Sequence, residues 1–481
     1  MNTVIYTLKR IIILSGFFFA GTVSAKVFPV GPARTYTAPS KVMNLVSNGD
    51  TVEIDAGTYS GDVGTWTKND LVIRCPNGMA HLDAAGKNAG GKAIWVITGK
   101  NTYIENIEFS GCSVPDKNGA GIRQEGANLE LRHCYFHDNE DGILTGKDTT
   151  SDILFEACEF ARNGHGDGYS HNMYIGNIRT FTMRFCYSHH AKIGHCVKSR
   201  ANNNYILYNR IMDEDTGSAS YLINLPNGGF SIVLGNTMMK GPNAQNRTLV
   251  DYGSEGLINP IKKLYVVNNT MVSTRPNGAT FISVANGTDS ARIINNIFAG
   301  TGIIFSGSAD TINNLYSRYQ TIFNFVDSSK YSYRVHIFGQ NVDYNGIDPG
   351  SANGFSLLRT FEYVDPTDSA QLGGLPVYIG AQHDYSNWEV PFIHNHLPGD
   401  SYNFPNPFSE KTTLHLAGIE DGSPVTIAIY DQLGAEIQRQ KYIPVNSQII
   451  FERGKLASGI YYYVAVNREG KRIAIGKFII Q

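Results

Sequence analysis

Short runs of alternating apolar and polar residues recur through most of the chain. Each run begins with an asparagine or a small residue and then places Val, Ile, Phe or Tyr at every second position, which is the period of a β-strand. The intervals between runs are mostly about 24–28 residues, a length typical of a solenoid coil. The first residues of the runs, which we use as anchors to align the coils, are Asn106, His133, Ala157, Phe185, Asn209, Asn236, Asn269, Asn296 and Asn314.

Leucine-rich repeats have a similar period, but they need a leucine skeleton and usually a helical return. Here β-branched and aromatic residues dominate and no helical period is present, so we predict an all-β, right-handed parallel β-helix. The asparagines would hydrogen-bond along one turn, coil over coil. Cys134, Cys158 and Cys186 share a column in consecutive coils. Coils stack about 4.8 Å apart and rarely offer disulfide geometry, so we expect a ladder of buried thiols.

The segment APSKVMNLVSNGDTVEIDAGTYSG, residues 38–61, has a short amphipathic stretch followed by a GDTV strand and a GTY turn. It resembles the first coil of many pectate-lyase-like β-helices, and the resemblance covers about residues 26–382. It implies a β-helix domain, which we place at residues 26–395, with a linker at 396–402.

The last eighty or so residues contain spaced strands that predict a small β-sandwich. The pieces PNPF, YDQLG, SGIYYY and GKFII occur there in order. Together they resemble the C-terminal sorting domain of type IX secretion cargo over residues 403–481. The resemblance implies a partner, the type IX secretion machinery, and passage across the outer membrane to the medium or the cell surface. An ordinary adhesive sandwich would not explain all four pieces.

At the other end, Lys9 and Arg10 precede an apolar run and small residues at Val23 to Ala25. This pattern predicts a signal peptide over residues 1–25. The apolar run is too short to span a membrane and no later segment reaches that length, so we expect no membrane-spanning segment. The net charge of −2 and the pI of about 6.7 give no basic field for nucleic acid. We expect a monomer.

Alignment of the coils predicts one long polar face. Lys198 and Arg200 point to the same side of one strand, with Tyr174 one coil below Lys198. A solvated edge strand is the simplest interpretation of two adjacent cations, but the neighbouring coils add further polar groups to this face. The candidate site residues are Arg123, Glu125, Asp141, His171, Asn172, Tyr174, His195, Lys198 and Arg200.

These residue types suit β-elimination on a uronic-acid polysaccharide, in which a base removes the proton next to the carboxylate and a cation holds that carboxylate. Arg200 offers a bidentate fork, and Lys198, with its pKa lowered by the neighbouring charge, would act as the base. Tyr174 would protonate the leaving oxygen, and His171 or His195 is a competing base. The remaining candidates, Arg123, Glu125, Asp141 and Asn172, would contact the acidic polysaccharide.

The stretch KSRANNNYILYN resembles the surroundings of the catalytic lysine in β-helix alginate and chondroitin lyases, which implies that role for Lys198. Two features differ. Such lyases carry acidic calcium ligands just upstream, but residues 191–195 contain no acid. They also place a second basic residue one coil later, whereas residues 215–226 contain neither Lys nor Arg, which leaves Arg200 for that role. Ca²⁺ therefore remains an open cofactor, and no metal ligand is assigned.

Two other functions stay open. GHGDG, residues 164–168, resembles a polygalacturonase motif, and Glu140, Asp141 and Asp167 could supply an acid and a base for hydrolysis. The paired aspartates and the RIK element of that family are missing. Non-catalytic glycan binding or adhesion would need only the same polar face. His165, Asp167, His189 and His190 could bind a metal, although no zinc-type spacing recurs.

Overall fold

The computed structural model describes residues 25–336, 342–372 and 377–384. In the C-terminal part it describes 402–404, 406, 408–416, 422–431, 435–445, 447–468 and 472–480. The predicted signal peptide (1–25) and the predicted linker (396–402) lie outside the described residues, except for the last residue of each. Over the described residues the regular structure consists of β-strands and three 3₁₀ turns, at Pro39–Lys41, Gln320–Phe323 and Ser328–Lys330. This part of the chain contains no helix that could cross a bilayer.

Three parallel sheets of 12, 11 and 10 strands form the walls of a solenoid. The strands of the lower coils are β1 (Val27–Val30), β2 (Thr51–Ile54), β3 (Gly57–Ser60), β4 (Gly64–Trp66), β5 (Val72–Arg74), β6 (Ala80–Asp83), β7 (Ala93–Ile97), β8 (Thr102–Glu105), β9 (Ile107–Ser110), β10 (Ala120–Gln124), β11 (Leu129–Arg132), β12 (Tyr135–His137), β13 (Asp141–Thr145), β14 (Asp148–Glu156), β15 (Glu159–Ala161), β16 (Met173–Ile175), β17 (Ile178–Arg184) and β18 (Tyr187–His189).

The strands of the upper coils are β19 (Val197–Ser199), β20 (Asn203–Leu207), β21 (Arg210–Met212), β22 (Ile223–Leu225), β23 (Gly229–Leu234), β24 (Thr237–Lys240), β25 (Thr248–Tyr252), β26 (Lys262–Val267), β27 (Thr270–Ser273), β28 (Ala279–Val284), β29 (Ser290–Ile294), β30 (Ile297–Ala299), β31 (Gly302–Ser306), β32 (Asp310–Ile312) and β33 (Leu315–Ser317). From β2 onward, successive strands join the first, second and third sheet in turn, and β1 extends the first sheet. The predicted parallel β-helix is therefore confirmed.

The alternating pattern explains why these segments form strands. One face of each strand points into the solenoid, where identical positions of successive coils stack. In the third sheet this column holds fully buried Ile122, Ile143, Met173, Val197 and Ile223. In the second sheet the rings of Phe109, Phe136 and Phe160 stack with centroids 4.9 and 5.0 Å apart. Burial of these aliphatic and aromatic side chains is the main favourable contribution to the fold.

The turn between the first and second sheets contains a polar ladder, as predicted. Within it, each side-chain amide donates to the side-chain oxygen of the next coil at 2.9–3.0 Å, along Asn209, Asn236, Asn269, Asn296 and Asn314. The same column continues downward into the cysteines, because the Cys186 amide donates to Asn209 Oδ1 at 2.9 Å and the Cys158 amide to Cys186 Sγ at 3.4 Å. All six cysteines are free and buried, which confirms the thiol ladder.

The column differs by one residue from the predicted alignment, in which Asn209 was the counterpart of Phe185. The structure aligns Asn209 with Cys186 and Tyr208 with Phe185. This alignment follows from the backbone of the turn, because His133, Phe185 and Tyr208 all have a positive φ and occupy the same left-handed position in their coils. The anchor of the lower coils is therefore this turn residue, whereas the anchor of the upper coils is the asparagine after it.

Beyond Ser317 the chain leaves the regular winding. It forms the short strands β34 (Phe325–Asp327), β35 (Ser332–His336), β36 (Ser351–Ala352), β37 (Phe355–Ser356), β38 (Phe361–Val364), β39 (Asp368–Gln371) and β40 (His383–Asp384). Leu357 packs with Phe230 of the first sheet, and Tyr333 packs with Met239 of the second sheet. Both apolar clusters draw their solenoid residues from the first two sheets and not from the third.

The C-terminal part forms two antiparallel sheets, ordered β41-β42-β45 and β44-β43-β46-β47. These strands are β41 (Tyr402–Phe404), β42 (Lys411–His415), β43 (Val425–Tyr430), β44 (Glu436–Tyr442), β45 (Gln448–Glu452), β46 (Gly459–Val466) and β47 (Arg472–Ile480). Phe451, Tyr463 and Phe478 are fully buried between them. The predicted small β-sandwich is present.

Candidate functional site

The outward side of the third sheet carries the predicted polar column. Successive register partners are Arg123, Leu144, Tyr174, Lys198, Asn224 and Asp251. The first four are the residues that alternation along the strands assigns to one column. Asn224 on β22 and Asp251 on β25 extend the column upward by two coils, and they were not among the predicted site residues.

Lys198 and Arg200 both bind one carboxylate. Lys198 Nζ lies 3.2 Å from Glu255 Oε1, and Arg200 Nη2 lies 2.5 Å from Glu255 Oε2. Glu255 lies in the loop after β25 and is 46% exposed. Its amide donates to the Pro226 carbonyl at 2.9 Å, which fixes the loop over the two cations. The repulsion expected between adjacent cations is thus compensated by an acidic group that a distant part of the chain supplies.

Tyr174 lies beneath the two cations. Arg200 Nε donates to Tyr174 Oη at 2.7 Å, and Arg200 Nη1 donates to Asn227 Oδ1 at 2.6 Å. Lys198 Nζ and Arg200 Cζ each lie 5.6 Å from the centroid of the Tyr174 ring, within the range of cation–π attraction. The guanidinium is therefore held by a phenol, an amide and a carboxylate. The structure brings together three of the predicted catalytic residues.

The environment changes the protonation of the lysine and the acids. Burial lowers the pKa of Lys198, Glu255 partly offsets this effect, and Arg200 lowers the pKa again. Burial acts to raise the pKa of Glu255, but its bonds to Arg200 and Lys198 outweigh that effect and lower it. Burial raises the pKa of Asp251, which accepts a 2.7 Å hydrogen bond from Asn224. We predicted a lowered pKa for Lys198 from the charge of Arg200, whereas desolvation is the larger cause.

His171 and His195 lie two residues before β16 and β19, and they form a buried stack. Only 1% and 7% of their surfaces are exposed, and their rings are 4.4 Å apart. The His195 amide donates to His171 Nδ1 at 3.1 Å. Burial lowers the pKa of His195 to about 3 and that of His171 well below its usual value, with Lys198 adding to both shifts. The pair is therefore neutral near pH 7 and is buried, away from the surface where a base would meet a polymer.

Asp141 and Asn172 are buried as well. Asp141 Oδ1 accepts the His171 amide at 2.7 Å, and burial raises the pKa of this carboxyl well above its usual value. Asn172 ends a second amide ladder, in which its Oδ1 accepts from Asn163 Nδ2 at 3.1 Å and its Nδ2 donates to the His189 carbonyl at 2.9 Å. The structure thus moves Asn172 from the predicted face into the core, because a ladder asparagine and a surface asparagine have the same sequence signature.

Arg123 and Glu125 form a separate polar group on the lower part of the same sheet. Lys92 Nζ lies 2.5 Å from Glu125 Oε1, and Arg123 Nε lies 3.6 Å from the same oxygen. Arg123 is three register steps from Lys198, which is about 14 Å at the spacing of parallel strands. The predicted face therefore has two charged groups.

The sequence interpretation missed the loop residues Asn227 and Glu255. Both lie in glycine-rich turns, PNGG and YGSEG, where Gly228 and Gly253 have positive φ. These tight turns follow β22 and β25, and they bring Asn227 and Glu255 back to Arg200 directly after β19. The sequence signal that was available is a glycine-rich turn with a polar or charged residue, which recurs after two successive strands of the third sheet, β22 and β25.

In the described part of the chain, two groups have metal-ligand geometry: His81 with Glu108 and His137, and His189 with His190 and Glu214. All of these residues belong to the second sheet or to the residues directly after its strands. They are therefore on another wall of the solenoid from Lys198. Of the four residues predicted as an alternative metal site, His189 and His190 belong to the second group, and His165 and Asp167 belong to neither.

Two protein families match the chain. Residues 83–240 match the right-handed β-helix region, and residues 403–481 match the secretion system C-terminal sorting domain. The chain therefore contains a right-handed β-helix region and a C-terminal sorting domain. The sorting domain indicates export by the type IX route, to the cell surface or into the medium.

No curated protein matches this β-helix chain in sequence. Among solved structures, pectate lyase Pel9A is 13% identical, with a TM-score of 0.37, over 76% of this chain and 98% of that chain. ORF18 of Geobacillus virus E2 is 12% identical, with a TM-score of 0.38, over 91% and 72% of the two chains. A variant of the PL6-family alginate lyase AlyGC is 12% identical, with a TM-score of 0.28, over 80% and 61%.

Proposed function

We propose that this exported β-helix protein cleaves an acidic, uronic-acid polysaccharide by β-elimination, with Lys198, Arg200 and Tyr174 as the catalytic residues. One observation carries the proposal: the two cations already bind the two oxygens of one carboxylate, that of Glu255. A uronate carboxylate has the same charge and shape. It would replace Glu255, whose loop is exposed and flanked by Gly253 and Gly256, both with positive φ.

The groups around that carboxylate match the steps of an elimination. Arg200 holds the carboxylate and stabilises the negative charge that builds on it as the neighbouring proton leaves. Neutral Lys198 takes that proton, and its lowered pKa favours the neutral form. The electron pair of the C–H bond forms the new C=C bond while the C–O bond to the next sugar breaks. Tyr174 accepts a hydrogen bond from Arg200, so its own O–H is available to protonate the leaving oxygen.

The second charged group gives an extended substrate another contact. Lys92 and Arg123 lie lower on the same wall and share Glu125, so they would bind another carboxylate of the same polymer. A linear polyuronate running along the solenoid axis would contact both groups. Single sugars would contact only one, and we therefore expect polymers to be better substrates than disaccharides.

Hydrolysis receives less support from the candidate acids. Glu140 is 7% exposed, and its carboxylate accepts hydrogen bonds from Ser113 Oγ and from the amides of Val114 and Gly119 at 2.7–2.9 Å. Asp141 is buried beside it. Glu140 and Asp141 therefore organise the chain locally and are not free to face a glycosidic bond and a water molecule. This leaves the exposed Asp167 as a single candidate, whereas hydrolysis needs two carboxyl groups.

The test is incubation of the purified protein with a panel of polyuronates, followed by the ultraviolet absorbance of the unsaturated product. We expect Lys198→Met and Arg200→Met each to reduce turnover by about 10²–10⁴-fold, the contribution typical of a positioned acid–base group. Arg179→Met is the matched control, because Arg179 also pairs with a carboxylate, that of Asp152, but on the first sheet. It should retain full activity.

The other outcomes separate the rival functions. New reducing ends without the absorbance would indicate a hydrolase. Saturable binding that Lys198→Met weakens, with no product from any polymer, would indicate an adhesive β-helix. Full activity in both Lys198→Met and Arg200→Met would place the chemistry on a different surface.

A further inference from the structure

A group of two histidines and a glutamate lies on the outward side of the second sheet. His81 is on β6, Glu108 on β9 and His137 on β12, so three successive coils each contribute one residue. His81 and Glu108 are direct register partners, and His137 is two residues further along its strand, beside Ser110. Their side chains are 16–26% exposed, which leaves the group accessible from solvent.

The geometry points to a binding site for one divalent cation of the zinc type. Ligand atoms on a tetrahedral ion with bonds of about 2.1 Å lie about 3.4 Å apart. Here Glu108 Oε1 lies 2.9 Å from His137 Nε2 and 3.7 Å from His81 Nε2, distances that bracket that value. All three ligand atoms lie within 4.8 Å of one another. His81 Nε2 also lies 2.7 Å from Ser110 Oγ, so an ion would have to displace this hydroxyl contact.

The surroundings orient one of the histidines as a ligand. His137 Nδ1 lies 2.9 Å from Asp138 Oδ2, so its Nε2 is left to face Glu108. A carboxylate behind a histidine is the usual outer contact of a metal-bound imidazole, because it fixes the tautomer and raises ligand basicity. Arg162 lies 3.5 Å from the same Nδ1, but it is paired with Asp138, which compensates its charge.

The donor atoms select the class of ion. Two imidazole nitrogens and one carboxylate form a set that Zn²⁺ binds, whereas Ca²⁺ and Mg²⁺ prefer all-oxygen surroundings. Solvent access leaves a fourth position for water. Because the three ligands come from three coils, the bound ion would connect β6, β9 and β12 and stabilise this part of the folded solenoid.

The second group with metal-ligand spacing provides a control. In it, Tyr187 Oη donates to Glu214, and Arg210 Nη2 lies 3.7 Å from the same carboxylate. His189 Nε2 is 3.0 Å from Glu159. One oxygen of Glu214 and one nitrogen of His189 therefore already have other partners, and a fixed positive charge lies beside the group.

The experiment uses the purified protein after dialysis against EDTA. We expect titration with CoCl₂ to produce a visible absorbance that saturates at one equivalent of cobalt. ZnCl₂ should displace the cobalt and raise the unfolding temperature. His81→Ala and Glu108→Gln should each weaken cobalt binding at least tenfold and remove the temperature shift. His190→Ala should leave both unchanged.

Three results would overturn the proposal. The first is no stoichiometric binding by the unaltered protein. The second is binding that survives both His81→Ala and Glu108→Gln. The third is binding that is lost in His190→Ala but not in Glu108→Gln. Circular dichroism of every variant establishes that it is folded, and Glu108→Gln keeps the shape of the side chain if His81→Ala disturbs the coil.

Discussion

Glu255 determines how the two cations of the third sheet behave. It is 46% exposed, and ion pairs with exposed partners contribute little to stability, about 0–1 kcal/mol. Its main effects are therefore on position and protonation. It keeps Arg200 extended over Tyr174 and raises the pKa of Lys198 against the effect of burial. It also occupies the place where a substrate carboxylate would bind.

These effects predict the behaviour of Glu255→Gln. Without the anionic partner the pKa of Lys198 falls further, so neutral lysine becomes available at lower pH. The rising acidic limb of the kcat/KM profile should shift to lower pH, because this limb reports the base of the free enzyme. KM should fall as well, since the competing carboxylate is gone. The measurement is the initial rate on the best polyuronate between pH 5 and 10.

Glu125→Gln is the matched control, because Glu125 also lies beside Lys and Arg on the same sheet but three coil steps from Lys198. Its acidic limb should remain in place. An unshifted limb in Glu255→Gln would mean that Lys198 is not the base.

The sequence predicted a residue's place correctly where that place follows from alternation along a strand. It failed where the place depends on whether the side chain is buried. Alternation was enough to place Tyr174 below Lys198. It could not place Glu255, which is 57 residues from Lys198 in the chain and arrives through a turn. Nor could it show that His171 and His195 are buried, because both lie just before a strand, outside its alternation, and histidine is found both buried and exposed in proteins.

At the level of the structural elements, the ladders explain why the repeat was visible in the sequence. A side chain that bonds to its counterpart in the next coil requires the same residue type there, and this requirement produces the asparagine column. The cysteine column meets a different requirement, a small apolar group at the same turn. The short strands after Ser317 have no such counterpart in another coil, so the sequence shows no repeat that would predict them. These strands, β34 to β40, nevertheless fall within the predicted β-helix domain.

The asparagine ladder should therefore contribute measurably to stability. Asn236 is fully buried, donates to the Ile206 carbonyl at 2.8 Å and to Asn269 Oδ1 at 2.9 Å, and accepts from Asn209. Asn236→Ala would leave several buried groups without partners, at a cost of about 1–3 kcal/mol each. We expect a clear fall in the urea midpoint of the β-helix.

Asn203→Ala is the control for this change. Its side-chain amide also donates to a main-chain carbonyl, that of Arg179 at 2.9 Å, but at an exposed position where water can replace the bond. Its urea midpoint should stay close to that of the unaltered protein. Equal shifts in the two variants would show that the ladder contributes no more than an ordinary surface hydrogen bond.

On the scale of the whole molecule, the β-helix and the sandwich have separate apolar cores. The core of the sandwich is drawn entirely from residues 408–480, including Leu414, Phe451 and Phe478, and the largest core of the β-helix is drawn from residues before 310. Separate cores allow each part to fold without the other. This organisation was foreseeable, because both the repeat and the four pieces of the tail are local patterns. The course of the chain between Ser317 and the sandwich was not.

Separate folding makes the role of the tail testable apart from that of the β-helix. Deletion of residues 403–481 should leave the solenoid folded, with its β-type circular dichroism and its polyuronate activity. The contacts described at Lys198, Arg200 and Glu255 join these residues to one another and to Tyr174 and Asn227, all within the solenoid. In a host with the type IX machinery, the truncated protein should remain in the periplasm. The reciprocal chimera, residues 403–481 attached to an unrelated periplasmic protein, should reach the surface or the medium. Export of the truncated protein would show that the address lies in the β-helix, and loss of its circular dichroism signal would show that the two cores depend on each other.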